Sequence, residues 1–223
     1  AVFIVFAGGF AGQFISLALV GSINVSEDFE VVIMGIGFQG GMLAGGLIAA
    51  ATMRQRQIAA GIEQPRSNPP KLNIWLGGTI TLLAALPILT GLNIGWTLGL
   101  EHFGFDTSRQ ELVEVFADLE SPMVILGMSF LAVIVAPLTE EIIFRAGLFR
   151  YLRTRVPRWI AYALPATIFA LLHGNLVAFG PLFALGLVFA VAYERTGRVA
   201  VPIIAHGLFN LNTVVLLLSG LEV

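Results

Sequence analysis

Cysteine is absent from the 223 residues. No thiol nucleophile, zinc thiolate site or redox pair can be built without it. Charge is scarce as well. Asp, Glu, Lys and Arg make up 12% of the chain, where a soluble domain carries about 25%. The hydrophobic share is 57% and the mean hydropathy +0.89. Together these exclude a soluble globular domain, a disordered chain, a collagen and a disulfide-rich secreted scaffold. A formal net charge of -2 gives no polyanion-binding signal, so nucleic acid is not an expected partner. Also missing are a G-x-S-x-G serine, a pair of intramembrane aspartates and an H-E-x-x-H zinc motif. The apolar runs are long and unbroken, which excludes a transmembrane β-barrel with its short alternating segments. What remains is an all-α, polytopic membrane helix bundle.

The charge-free runs place the spans. Ala1 to Ser26, Val31 to Met53, Leu72 to Leu100 with a kink at Pro87, and Ser121 to Thr139 are the first four. Trp159 to Tyr193 is too long for one span, and Gly180-Pro181 cuts it into two helices, the second short. Val199 to Leu221 is the last. About seven spans result, with six to eight as the range. The chain opens on Ala rather than Met, consistent with a trimmed form. No basic stretch precedes the first run, so it reads as a span and not a secretory leader.

Charges sort between alternate loops. Arg54, Arg56, Arg66 and Lys71 lie in one loop, Arg150, Arg153, Arg155 and Arg158 in another, and Arg195 and Arg198 in a third. The turn with Glu27, Asp28 and Glu30 and the segment Glu101 to Glu120, with six acids against Arg109, fall on the opposite side. The positive-inside rule then expects a cytoplasmic N-terminus and an outside C-terminus. Residues 1–120 read as N-terminal spans with a polar connector (Gln55 to Pro70) and an acidic outer loop. Glu111 to Leu119 has the spacing of a short surface helix. Residues 121–223 read as the chemistry-bearing core. Gly8 and Gly12 on span one, and Gly37, Gly41 and Gly45 on span two, form small-residue stripes expected to pack helix backbones together. No internal repeat is visible, which weighs against an inverted-repeat transporter.

Ionisable side chains inside spans are costly and point to function. Three places carry them. Glu140, Glu141 and Arg145 lie at the end of span four. Phe169 and His173 share a face of span five, and His206 and Asn210 share a face of span seven. Adjacent glutamates on a helix point about 100° apart and can do different jobs. Glu141 and Arg145, four apart and acid first, can pair. That leaves Glu140 to face the interior as a general base. The plainer alternative is an interfacial ion cluster. His206 and Asn210 can both donate hydrogen bonds to a developing oxyanion, or can simply join helices. A carboxylate, two imidazoles and an amide can activate water directly. They could also hold zinc through His173, His206 and Glu140, with water as a fourth ligand.

The three motifs, in this order, resemble the signatures of the CAAX-protease and bacteriocin-processing family of intramembrane endopeptidases, the CAAX prenyl protease type 2 kind. The run Gly186 to Gly197 followed by Pro202 to His206 is similar too, and the likeness covers roughly Ser121 to Leu217. It implies hydrolysis of a peptide bond near or in the membrane. Glu140 would activate water, with His173 as its partner. His206 and Asn210 would be the oxyanion donors, Glu141 and Arg145 would support the first motif, and Phe169 is a further supporting residue. Either glutamate could be the base. Members act on prenylated C-terminal CAAX proteins or serve as immunity and peptide-processing factors, so the implied partners are peptide or protein substrates, with or without a lipid, and membrane lipids. The residues favour a route without a cofactor.

One difficulty concerns depth. His173 lies about 22 Å along span five from Arg158, and His206 only about 12 Å along span seven from Arg198. Tilted helices, an interfacial start to span five, or a fourth span running past Arg145 would reconcile them. The better expectation is a site open to the cytoplasmic half. Two rival readings use the same residues: a non-catalytic membrane scaffold or immunity protein, and a small proton-coupled carrier.

Overall fold

The computed structural model describes residues 2–23, 25–59, 73–107 and 121–219. All regular structure there is helical: α1 (Val2–Val20), α2 (Glu27–Ala59), α3 (Ile74–His102), α4 (Pro122–Leu152), α5 (Arg158–Leu171), α6 (Leu176–Thr196) and α7 (Ala200–Leu218). Six of these seven are long and apolar enough to cross a membrane, and α5 is the short one. Most of the connector from residue 60 onward and the Glu111–Leu119 segment lie outside the described residues. Large apolar side chains such as Phe3, Phe14, Leu83, Ile88 and Met123 are exposed on the outer helix faces. A soluble protein seldom shows so much apolar surface, and a lipid-facing bundle must. The chain is an integral, multi-pass membrane protein.

The chain forms two compact units that interleave in sequence: Ala1–Asn68 with Leu119–Gly147, and Pro69–Asp118 with Leu148–Val223. In the first unit, α1 and α2 run antiparallel with their glycine stripes in direct contact. A Cβ on Gly12 would stand 1.9 Å from the carbonyl oxygen of Gly37, and one on Gly8 2.3 Å from that of Gly41. The expected backbone-to-backbone packing is therefore present, and any side chain at these positions would part the helices. Along α4, Gly127 meets Val32, Leu131 meets Gly35 and Ile143 meets Gly46. The paired numbers rise together, so α2 and α4 run parallel.

α4 is not uniform. Leu131–Val135 and Ile142–Phe149 are π-helical, and Ala136–Glu141 between them is α-helical. Pro137 has no N–H to donate, and its ring crowds the carbonyl four residues back. The wider turn ending at Val135 gives that ring room. The helix also runs on past Arg145 to Leu152, so Glu140 and Glu141 stand inside the fourth span and not at its end as the sequence suggested. Scanning for charge-free runs stops at the first glutamate, whereas a buried carboxylate with a cationic partner lets the helix continue.

In the second unit, Ala85 and Leu89 of α3, Leu185 and Phe189 of α6 and Ala205 of α7 form one buried cluster. Asn73 caps α3 by accepting from the backbone N–H groups of Trp75 and Leu76. The expected break at Gly180-Pro181 is a correction. Pro181 lies within α6, and the chain turns instead at Leu172 to Asn175. Gly174 takes φ +68° and Asn175 accepts from the Ala178 N–H at 3.0 Å, so a left-handed stop is followed directly by an N-cap. Pro181 sits in the second turn, where its missing N–H leaves one helical bond unmade and the surrounding packing carries the helix through. The fifth helix is thus the short one and the sixth is full length. Gly197 at φ +64° ends α6, and α7 follows at once.

Candidate functional site

The first motif lies in the first unit. The α-helical stretch ends at Glu141, and Arg145 falls in the π-helical turn after it. A π turn brings residues four apart closer to eclipsed than an α turn does. Arg145 Nε accordingly lies 3.1 Å from Glu141 Oε2 as an ion pair, with the side chains 2% and 0% exposed. Thr139 beside them is fully buried, while Glu140 keeps part of its surface accessible. The expected pairing of Glu141 with Arg145 is present in this geometry, and Glu140 is the less covered of the two glutamates.

The second and third motifs lie in the second unit and come together on one ring. Phe169, 1% exposed near the end of α5, meets the His173 ring edge-on at 4.9 Å and the His206 ring edge-on at 5.8 Å. The difference in depth along spans five and seven does not keep the two histidines apart. His206 is buried and also stacks on Phe189 of α6, 5.0 Å between centroids and 29° between planes. Asn210 follows one turn later on α7 and is half-buried. Sequence reasoning gave Phe189 no role. It is one of several aromatics in the apolar run Leu176–Thr196, so the sequence did not set it apart.

His173 has left the helix and is exposed in the turn. Its Nδ1 lies 2.8 Å from the carbonyl oxygen of Phe169. A carbonyl can only accept, so Nδ1 carries the proton and donates. In the neutral ring, Nε2 is then the nitrogen with the free lone pair. That arrangement gives the motif an oriented proton acceptor.

A further group went unassigned in the sequence. Glu194, near the end of α6, accepts from Arg153, Arg158 and Tyr162, the Arg158 Nη2 bond measuring 2.7 Å. It ties the end of α6 to the start of α5, so the two form a hairpin. The signal was present: Glu194 is the one acid among the arginines of these two loops. Among the described residues, no three His, Asp or Glu side chains are grouped as metal ligands would be.

Residues 122–212 match the family model for type II CAAX prenyl endopeptidase Rce1-like proteins. The chain is 32% identical over 123 residues to a Bacillus subtilis (strain 168) protein named membrane peptidase YdiL, covering 54% of this chain and 49% of that one. It is 38% identical over 87 residues to the membrane-embedded CAAX protease MroQ of Staphylococcus aureus (strain USA300), covering 36% of this chain and 35% of that one. A third relative is the UPF0177 protein YbdI of Lactococcus lactis, 33% identical over 82 residues, 36% of this chain and 44% of that one. The chain thus spans about half or less of the curated relatives it matches. No solved structure matches it. The matched segment holds all three motifs, and the family resemblance read from them stands.

Proposed function

We propose that this chain, whose residues 122–212 match the Rce1-like family, is an intramembrane endopeptidase with a glutamate-activated water. The observation that carries the reading is the division of labour in the first motif. Glu141 is sealed against Arg145, and Glu140 keeps part of its surface uncovered, as a group that acts as general base must. Glu140 takes a proton from water as the oxygen attacks the scissile carbonyl carbon. His206 and Asn210 donate to the resulting oxyanion. The C–N bond then breaks as protonated Glu140 returns the proton to the departing amine, directly or by relay through His173 Nε2. His173 holds the water through Nε2, its tautomer set by the Phe169 carbonyl.

The substrate is a peptide or protein segment entering from the membrane, and a lipid-modified C-terminus is one form it can take. The length of α5 supports a polar site at membrane depth. Fourteen residues reach about 21 Å, short of the roughly 30 Å apolar core. The non-helical turn bearing His173 then requires a water-lined or protein-lined surrounding. The charge alternation supports a cytoplasmic N-terminus and an outside C-terminus.

The test is cleavage of quenched peptides, prenylated and unprenylated, by purified protein in lipid. Loss in both Glu140→Gln and His206→Ala, with activity insensitive to chelator, supports the proposal. Loss on chelation with recovery on adding zinc overturns the metal-free route. Folded protein that cleaves no peptide favours the scaffold reading, and a proton flux in proteoliposomes favours the carrier.

A further inference from the structure

The Glu194 hairpin gathers an unusual surface at one end of the second unit. Arg150 comes from the last turn of α4, Arg153 and Arg155 from the turn after it and Arg158 from the start of α5, while Arg195 lies at the end of α6 and Arg198 in the turn before α7. The bonds from Arg153 and Arg158 to Glu194 bring these separate stretches together. Within residues 150–158 and 194–198 there are six arginines and one glutamate, a net charge of +5. Glu194 is largely covered by the groups it binds, whereas Arg150, Arg155 and Arg195 are exposed and Arg158 is 69% exposed. Arg155 is held in place. Its guanidinium lies 3.9 Å from the Tyr151 ring centroid and its Nη1 donates to the Tyr151 carbonyl at 3.0 Å.

Aromatic side chains stand in the same surface. Trp159 is 71% exposed and Tyr151 43% exposed. Both sit at helix ends, where the amphipathic rings of Trp and Tyr settle at headgroup level. Oriented guanidinium groups form bidentate bonds with phosphate, and their charge cannot be titrated away. A soluble anion would need the arginines only. A lipid uses the arginines for its phosphate and the aromatic rings for the glycerol and upper acyl region.

We propose that this end of the second unit is a binding surface for anionic phospholipid headgroups, with Arg150, Arg155, Arg158 and Arg195 as phosphate donors and Trp159 and Tyr151 as interfacial anchors. The inference depends on membrane insertion and not on peptidase activity. Glu194 serves it by drawing Arg153 and Arg158 toward one locus while neutralising part of their mutual repulsion.

The test reads Trp fluorescence of the reconstituted chain in vesicles containing brominated phosphatidylglycerol or brominated phosphatidylcholine as quencher. Trp159→Phe identifies the share of the signal that belongs to this surface. The expected result is a preference of about tenfold for phosphatidylglycerol near Trp159 at low salt, declining as salt screens the arginines. The triple variant Arg150→Gln, Arg155→Gln, Arg195→Gln should bring the two lipids close to parity. It removes no partner of Glu194, so the hairpin should stay intact, as an unchanged thermal unfolding profile would show. Equal quenching by both lipids in the parent chain would overturn the proposal. So would a preference that survives the triple variant, or one abolished by millimolar inorganic phosphate, which would mark a soluble-anion site.

Discussion

Arg145 Nε and Glu141 Oε2 form an ion pair at 3.1 Å within one helix, with both side chains almost wholly buried. The pair lies where α4 passes from α-helical to π-helical geometry, so helix distortion and charge pairing occur at the same place. Each charge justifies the other's burial. Removing one partner strands the other in a poorly solvated environment. We expect Glu141→Ala or Arg145→Ala to lower stability by about 3–5 kcal/mol. The double variant should be less damaging than the sum of the two. Thermal unfolding in mild detergent measures this, and additive losses would show that the two groups are not coupled.

Glu140 should behave differently from its neighbour. Glu140→Gln keeps the shape and loses the base, so cleavage should disappear while the unfolding profile stays near that of the parent. Glu141→Gln should reduce stability and activity together. If Glu141→Gln instead left a stable, inactive protein and Glu140→Gln stayed active, the roles of the two would be reversed.

The third motif predicts a loss in kcat. Replacing Asn210 with Ala should slow turnover by about a hundredfold or more, with KM little changed, as for loss of one oxyanion donor. His206→Ala should do the same and also lower stability, because His206 stacks on Phe189. A change confined to KM in Asn210→Ala would place that residue in substrate binding.

The proton on His173 can be observed directly. Nitrogen-15 chemical shifts of the imidazole should report Nδ1–H in the neutral ring, since the Phe169 carbonyl accepts from it. A dominant Nε2–H form would contradict the orientation assigned to Nε2.

Glycine positions divide into two groups. Gly12→Ala or Gly41→Ala should separate α1 from α2, because the added Cβ would lie 1.9 Å or 2.1 Å from a backbone oxygen of the facing helix. Gly91→Ala and Gly95→Ala in α3 meet nothing within 4 Å. Those two should be neutral, or stabilising by about 0.5–1 kcal/mol. Equal behaviour of the two groups in a denaturation series would show that the stripe does not hold the helices.

Hydropathy alone was sufficient for the helix class, the approximate number of spans and the small-residue packing of α1 on α2. These depend on local composition, and lipid imposes one backbone solution on any long apolar run. The three motifs were legible for a similar reason: charge and imidazole are conspicuous where their burial is costly. Two boundaries were not. The turn at His173 to Asn175 was missed in favour of Gly180-Pro181, because a proline in the second helical turn is tolerated and a glycine stop followed by an Asn cap is not visible as a hydropathy minimum. The fourth helix was read as ending at Thr139, because the partner that permits Glu141 to be buried acts through space. Tertiary structure alone decided that Phe169 joins the rings of His173 and His206, that Phe189 stacks on His206, and that Glu194 gathers three partners from α5 and the turn before it. These relations join residues from 4 to 41 positions apart. Most link different helices, and no periodicity along one helix records which ring on another it will meet.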